Sequence, residues 1–323
     1  MKILITGAAG FLGSHLTEKL IEFGNDVRVL VHYDSNNNWG WLEHSKYKEN
    51  IDFVVGDIRD YDSVFSAMKG VDEVFHLAAL IGIPYSYLSP LAYIKTNIEG
   101  TYNVIQSARQ LNTKNIIITS TSETYGSAQY TPMDEDHPKV GQSPYSATKI
   151  GADNLALSFH KSFGLPIKIV RPFNIYGPRQ SARAIIPTIA TQILNDVKTI
   201  KLGNLEAKRD LTFVKDTVMG FVEIAKQDKF NGESVNIGMN EEVSIKELVQ
   251  KISKITNKEV QIEVDKQRIR PDKSEVDRLL CSNKKLIENT NWKPSYNLDK
   301  GLKETINWLE ENKKLFKHNI YNT

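Results

Sequence analysis

Two short stretches hold residue types that suit proton chemistry. The first is STSETYG (120–126), which directly follows the apolar run NIIIT (115–119). Thr121, Ser122 and Glu123 therefore sit at the end of a buried strand, where hydroxyls and a carboxylate face a sheet edge rather than a core. The second is SPYSATK, in which Tyr145 and Lys149 are four residues apart. On a helix that spacing puts both side chains on one face. A cation beside a phenol favours tyrosinate, and such a tyrosine can take the proton of an alcohol. Tyr and Lys at this spacing also occur on ordinary helices, and Glu123 has an alternative reading as a cap on the turn beyond the strand.

What the tyrosine would work with is suggested upstream. Gly7, Gly10 and Gly13 form G-x-x-G-x-x-G immediately after the first apolar run, KILIT (2–6). Glycines there permit a tight turn and close backbone approach, so that the following helix can hold a pyrophosphate on its N–H groups. Alone the spacing is a glycine-rich turn; opening the first helix of a repeating strand–helix pattern, it predicts a dinucleotide site. A nicotinamide cation would add to Lys149 in favouring tyrosinate. The acid that normally holds the adenosine ribose falls on Val31 or His32, the first acid is Asp34, and no arginine lies in 31–37 to meet a 2′-phosphate. NAD is slightly favoured over NADP. Asp57 is placed to meet an adenine edge or, alternatively, to cap a helix in GDIRD.

The elements that position these groups are legible as periodicity. Short apolar runs at 2–6, 27–31, 51–55, 73–78, 115–119 and 167–171 alternate with amphipathic segments such as 13–23 and 60–70. Continuous apolarity suggests strands covered on both faces. The pattern predicts an α/β fold, a Rossmann-type doubly wound parallel sheet. After residue 172 the rhythm changes to helices at 186–196, 244–256 and 299–312 with short strands at 199–203 and 234–238. The expected division is residues 1–172, with 208–238 returning to them, and a smaller α/β substrate-binding domain from 173–207 and 239–315. The chain has 323 residues, with 41 basic and 39 acidic side chains, too even a balance for a nucleic-acid face. Cys281 is the only cysteine, which excludes a disulfide frame and a thiolate metal cluster and fits a reducing cytoplasm. No apolar run is long enough for a membrane helix, and nothing resembles a signal cleavage site. No metal is expected.

GAAGFLG, HLAA (76–79), TNIEGT (96–101), STSETYG, YSATK, RPFNIYGPR (171–179) and RDLTFVKD (209–216) occur in the order seen in extended short-chain dehydrogenases/reductases, which the chain resembles over about residues 1–310. Members bind a dinucleotide in the first domain and typically a nucleotide-activated sugar in the second. The resemblance implies a tightly bound, recycled NAD or NADP touched by Gly7, Gly10, Phe11, Leu12, Gly13, His32, Asp34, Asp57, Ile58, Leu77, Ala78, Ala79, Asn97, Tyr145, Lys149 and Pro172. It implies catalysis by Thr121, Glu123, Tyr145 and Lys149, and substrate contacts from Ser122, Asn174, Arg179, Arg209, Arg270 and Glu275. It also implies a homodimer, through a four-helix bundle made by the helices at 101–111 and after Tyr145. The Ser122–Glu123 pair resembles the pattern of GDP-mannose 4,6-dehydratases, whereas 4-epimerases carry a small pair there. The apolar stretch LIGIPYSYLSP (80–90), with SNNNWGWL and GPRQSARAIIPTI, is similar to dehydratases of bacterial legionaminic acid pathways that act on an activated N-acetylglucosamine. The expected activity is thus 4,6-dehydration of GDP- or UDP-N-acetylglucosamine. The alternatives are a 4-epimerase and a non-catalytic dinucleotide-sensing protein on the same fold.

Overall fold

Each of the six apolar runs forms a strand. The computed structural model describes residues 1–321. Its strands are β1 (Lys2–Thr6), β2 (Asp26–Val31), β3 (Ile51–Val55), β4 (Glu73–His76), β5 (Asn115–Thr119), β6 (Ile167–Pro172), β7 (Asn174–Tyr176), β8 (Thr199–Leu202), β9 (Lys208–Arg209), β10 (Leu211–Phe213), β11 (Ser234–Ile237), β12 (Val243–Ser244), β13 (Gln261–Val264) and β14 (Arg278–Leu279). Seven of them make one parallel sheet in the order β11-β6-β5-β4-β1-β2-β3. Alternate residues of one strand feed opposite cores. Ile3, Ile5 and Ile117 pack in one cluster, Leu4, Ile116 and Ile118 in the other. A strand buried on both faces needs an unbroken apolar run, which is why these runs do not alternate with polar residues.

The helices are α1 (Phe11–Glu22), α2 (Tyr61–Met68), α3 (Ile83–Leu88), α4 (Pro90–Tyr93), α5 (Gly100–Leu111), α6 (Pro144–Phe163), α7 (Ile185–Leu194), α8 (Val214–Ala225), α9 (Ile245–Thr256), α10 (Lys284–Asn289) and α11 (Leu298–Glu311). One face of the sheet is covered by α1 and α8 through Leu16, Leu20, Val218 and Phe221. The other is covered by α2, α5 and α6 through Val64, Val104, Ile105 and Ala156. The remaining segments pair as β13 with β8, β10 with β7, and β12-β9-β14. Ser234–Ile237 lies at the edge of the large sheet beside β6, while Thr199–Leu202 pairs with β13. The two-residue strands β9, β12 and β14 are too short to leave a period in the sequence; distant partners define them. Among the described residues no helix is long and apolar enough to cross a membrane.

A buried polar network joins the chemistry-bearing segments. Asp153 of α6 accepts from Ser120 Oγ at 2.7 Å and from Arg171 Nη2 of β6 at 2.9 Å. Arg171 Nη1 donates to the Tyr125 hydroxyl at 3.3 Å, and that hydroxyl donates to Asn236 Oδ1 of β11 at 2.8 Å. Both members of the ion pair are fully buried. Removing one partner of such a pair strands the other charge in low dielectric, at about 3–5 kcal/mol. Asp153→Asn is therefore expected to lower the urea midpoint by that amount in stability with little change in slope. A loss below about 1 kcal/mol would show that the pair does not hold this junction.

Candidate active site

The carboxyl ends of β1, β4, β5 and β6 open into a cleft of about 950 Å³. Ligands of open α/β sheets bind at this end. The chain reaches the cleft through turns with local causes. Beyond β5, Thr121 Oγ1 accepts from the Glu123 backbone N–H at 3.2 Å and starts a short 3₁₀ turn over Ser122–Thr124. The turn presents Thr121, Ser122 and Glu123 to the cleft. Helix α6 starts with a reciprocal capping box between Ser143 and Ser146 and a proline in its first turn. That start places Tyr145 in the first turn, at the cleft wall, and Lys149 one turn on.

The Glu123 carboxylate makes no hydrogen bond among the described residues. The cap of its turn is Thr121, so the reading of Glu123 as a structural cap has no support in the geometry. Its charge faces both Tyr145 and Arg209. Burial raises the Tyr145 phenol above its ordinary range; the contact with Thr121 and the charge of Arg183 oppose the rise, and Glu123 adds to it. The sequence predicts that Lys149 brings the phenol down. Instead Lys149, itself depressed by burial, donates Nζ to the Thr119 carbonyl at 2.6 Å, and desolvation wins at Tyr145 among the protein's own groups. Asp153, one turn further along α6, opposes the depression of Lys149.

The dinucleotide end passes a fit test on its glycines. Gly7 has φ +72°, and a Cβ there would stand 2.7 Å from the Ala78 backbone nitrogen, so the fold itself requires glycine. Gly10, the N-cap of α1, is different: an added Cβ would meet only Gly7 O, at 3.3 Å, and otherwise project into open space. No side chain caps α1 and no acid lies in its first turn. Its free N–H groups and open approach suit a pyrophosphate. Gly7, Gly10, Phe11, Leu12, Gly13, His32, Asp57, Ile58, Leu77, Ala78, Ala79 and Pro172 all line the cleft.

Several expected residues sit elsewhere or act differently. Asp34 does not line the cleft; its carboxylate accepts from Asn36 N at 2.7 Å, a local turn. Asp57 does not cap α2, since Asp60 does so through Ser63 N. It binds Arg59 through both carboxylate oxygens and lies 3.3 Å from His32 Nε2, and the Arg59 bond holds its carboxyl below the ordinary range. Asn97 lies behind the wall, bonded to Leu80 N and O and to Thr148 Oγ1. Asn174 lines the cleft with its Oδ1 buried and unpartnered. Arg209, Arg270 and Glu275 converge there; Arg209 Nη2 stands 3.4 Å from Glu275, and Arg270 Nη1 is buried without a partner. Arg179 is turned away, with φ +72°, into a two-bond pair with Glu18 at 3.0 and 3.1 Å. Arg59, Arg183, Arg268 and Tyr321 also line the cleft; the sequence offers Arg183 and Arg268 among the cations of its second half but its motifs favour Arg209 and Arg270, and it does not point to Arg59 or Tyr321. Only their long-range placement distinguishes them from surface residues.

The family model described as GDP-mannose 4,6 dehydratase matches residues 4–305. The chain is 33% identical to UDP-N-acetyl-alpha-D-glucosaminuronate decarboxylase of Bacillus cytotoxicus, over 96% of this chain and 98% of that protein. It is similar to the solved dTDP-glucose 4,6-dehydratase of Streptomyces venezuelae with NAD bound: TM-score 0.87, 27% identity, 98% of this chain and 99% of that one. It is equally similar to UDP-glucuronic acid 4-epimerase of Bacillus cereus in complex with UDP-glucuronic acid and NAD: TM-score 0.87, 28% identity, 97% of this chain and 100% of that one.

The two glycines are expected to separate folding from binding. Gly10→Ala is expected to keep the wild-type melting temperature and to weaken NAD binding by about tenfold or more in calorimetry, about 1.4 kcal/mol. Gly7→Ala is expected to lower the melting temperature itself, because both φ and the Ala78 contact are violated. Unchanged NAD affinity in Gly10→Ala would remove the N-terminus of α1 as the pyrophosphate seat.

Proposed function

Because the chain belongs to the NAD-dependent sugar-nucleotide epimerase and dehydratase family of extended short-chain dehydrogenases/reductases, we propose that it is a nucleotide-sugar 4,6-dehydratase. The observation that carries this reading is the Glu123 carboxylate: it lies in the cleft beside Tyr145 and the protein's own hydrogen bonds leave it free. A 4-epimerase needs no acid/base at C5, whereas a dehydratase does.

The residues divide the work as follows. Tyr145, with Thr121 beside it, takes the proton of the C4 hydroxyl. A bound NAD supplies the oxidant at C4 and the reductant at C6 and is regenerated in each turnover. The C4 ketone acidifies C5–H. Glu123 takes the C5 proton and delivers it to the departing C6 hydroxyl, so one water is lost across C5–C6. As hydride adds at C6, C5 takes a new proton from solvent through Glu123, and Tyr145 releases to solvent the proton it took from the C4 hydroxyl. Each positioned proton-transfer group contributes about 10²–10⁴ in rate. Lys149 supports the Tyr145 end with its charge, and Gly7 to Gly13, Ala78 and Asp57 hold the dinucleotide.

Arg209 and Arg270 take the substrate diphosphate, as guanidinium groups suit bidentate binding of such oxygens. Leu80, Ile81, Ile83, Pro84 and Tyr85 give one wall an apolar surface. That wall suits the methyl of a C2 N-acetyl group, so the substrate is GDP- or UDP-N-acetylglucosamine, as in legionaminic acid routes. The protein forms a homodimer through α5 and α6, which keep Tyr102 and Phe163 exposed at 42% and 47%.

A panel of GDP- and UDP-linked glucose, mannose, N-acetylglucosamine and their uronates, read by product mass, tests the reading. Loss of one water without net consumption of NAD is expected from an N-acetylhexosamine. Unchanged mass with a new sugar epimer would indicate a 4-epimerase, loss of carbon dioxide from a uronate a decarboxylase, and no turnover a sensor. Sedimentation is expected to give twice the 36.6 kDa chain mass. A monomer at micromolar concentration would contradict the dimer.

A further inference from the structure

Of the arginines lining the cleft, Arg183 and Arg270 have no ion pair among the described residues, and of these two Arg183 is the one beside Tyr145. Arg209 is paired with Glu275 and Arg268 with Asp265, while Arg179 leaves the cleft for Glu18. Arg183, in the loop between β7 and α7, is half-buried, lines the cleft and makes no hydrogen bond or ion pair among the described residues. Its surroundings are aromatic and neutral. A Cβ on Gly82 would stand 3.9 Å from Arg183 Nη1. The Gly82 carbonyl accepts from the Tyr93 hydroxyl at 2.5 Å, and the Tyr93 ring meets the Tyr145 ring edge-on at 6.3 Å. A partly desolvated guanidinium without a counter-charge is costly. The cost is offset where negative charge appears next to it during the reaction.

We propose that Arg183 is a catalytic residue whose guanidinium stabilises the negative charge that alternates between the Tyr145 oxygen and the C4 oxygen of the sugar. The second half of this inference rests on the dehydratase reading. Charge sits first on the Tyr145 phenolate. It is discharged when the phenolate takes the C4 hydroxyl proton and the C4 hydride goes to the bound nicotinamide dinucleotide as oxidant. It reappears on the C4 oxygen when Glu123 removes the C5 proton and the C5–H electron pair forms the enolate. It leaves when the enolate reforms the carbonyl, the C6–O bond breaks, and the oxygen departs as water with the proton held by Glu123. The groups facing Tyr145 are Thr121 and Glu123 from the turn after β5, Tyr93 from α4, and Arg183; Lys149 lies one turn along the same helix. Lys149 is engaged with the Thr119 carbonyl, which leaves Arg183 as the cation from a separate element.

Two readouts test this. In NAD-loaded protein without sugar, the ultraviolet tyrosinate signal of Tyr145, isolated by subtracting Tyr145→Phe, is expected to titrate at higher pH in Arg183→Gln and close to wild type in Arg183→Lys. In turnover with the dehydrated sugar, Arg183→Gln is expected to lose about 10²-fold in kcat with KM changed less than about threefold, and Arg183→Lys to recover at least part of it. An unmoved Tyr145 titration, or a loss carried wholly by KM, would overturn the proposal. Absence of dehydration by wild type on every sugar, with the titration still displaced, would end the dehydratase reading and leave the pairing of Arg183 with Tyr145 standing.

Discussion

The site depends on where α6 lies relative to the end of β5, and one buried interaction fixes that relation. Asp153 sits one turn beyond Lys149 and joins Ser120 to Arg171. Arg171 in turn holds Tyr125, and Tyr125 reaches Asn236 on β11. Helix α6, the turn after β5, strand β6 and the edge strand β11 are thereby cross-linked behind the cleft by buried groups. Low dielectric makes each of these bonds strong and makes any unpaired member costly. The same carboxylate that positions the turn also counters the desolvation of Lys149. Support and electrostatics are in this respect one device.

In front of that network the cleft is built from polar and charged groups left incompletely satisfied. The Glu123 carboxylate, Asn174 Oδ1, Arg183 and one arm of Arg270 lack partners among the described residues. Polar groups away from water are normally paired, so unpaired ones gathered in one cleft mark positions a ligand completes. They fall into separate groups. Arg209, Arg270 and Glu275 stand together, while Thr121, Glu123 and Arg183 gather around Tyr145. The first turn of α1 and the Asp57–Arg59–His32 group line the cleft apart from both.

Much of this was legible in the sequence because it is local. The six strand runs, the glycine turn and the Tyr145–Lys149 spacing depend on residues close in the chain, and the α6 start follows from Ser143, Pro144 and Ser146. What the sequence left open depends on long-range geometry. Asp57 and Asp60 are both plausible caps in GDIRD, and only the turn direction gives the cap to Asp60 and the cleft to Asp57. Arg179 and Arg183 share one loop and one side-chain chemistry. A left-handed backbone at Arg179 aims it at Glu18, and Arg183 is left for the cleft. The pull of Lys149 on Tyr145 was read from spacing alone, which carries no information about how far burial outweighs a charge one turn away.

The most direct measurement concerns Glu123. Glu123→Gln keeps the shape of the side chain and removes its basicity, while Thr121 and Tyr145 remain for oxidation at C4. Mixed with the right nucleotide sugar, the variant is expected to develop the absorbance of reduced nicotinamide in a single turnover. It should release almost no dehydrated product and show no exchange of C5–H with deuterated water. Dehydration at near the wild-type rate would contradict the central claim, since the one free carboxylate beside Tyr145 would then have no part in removing water.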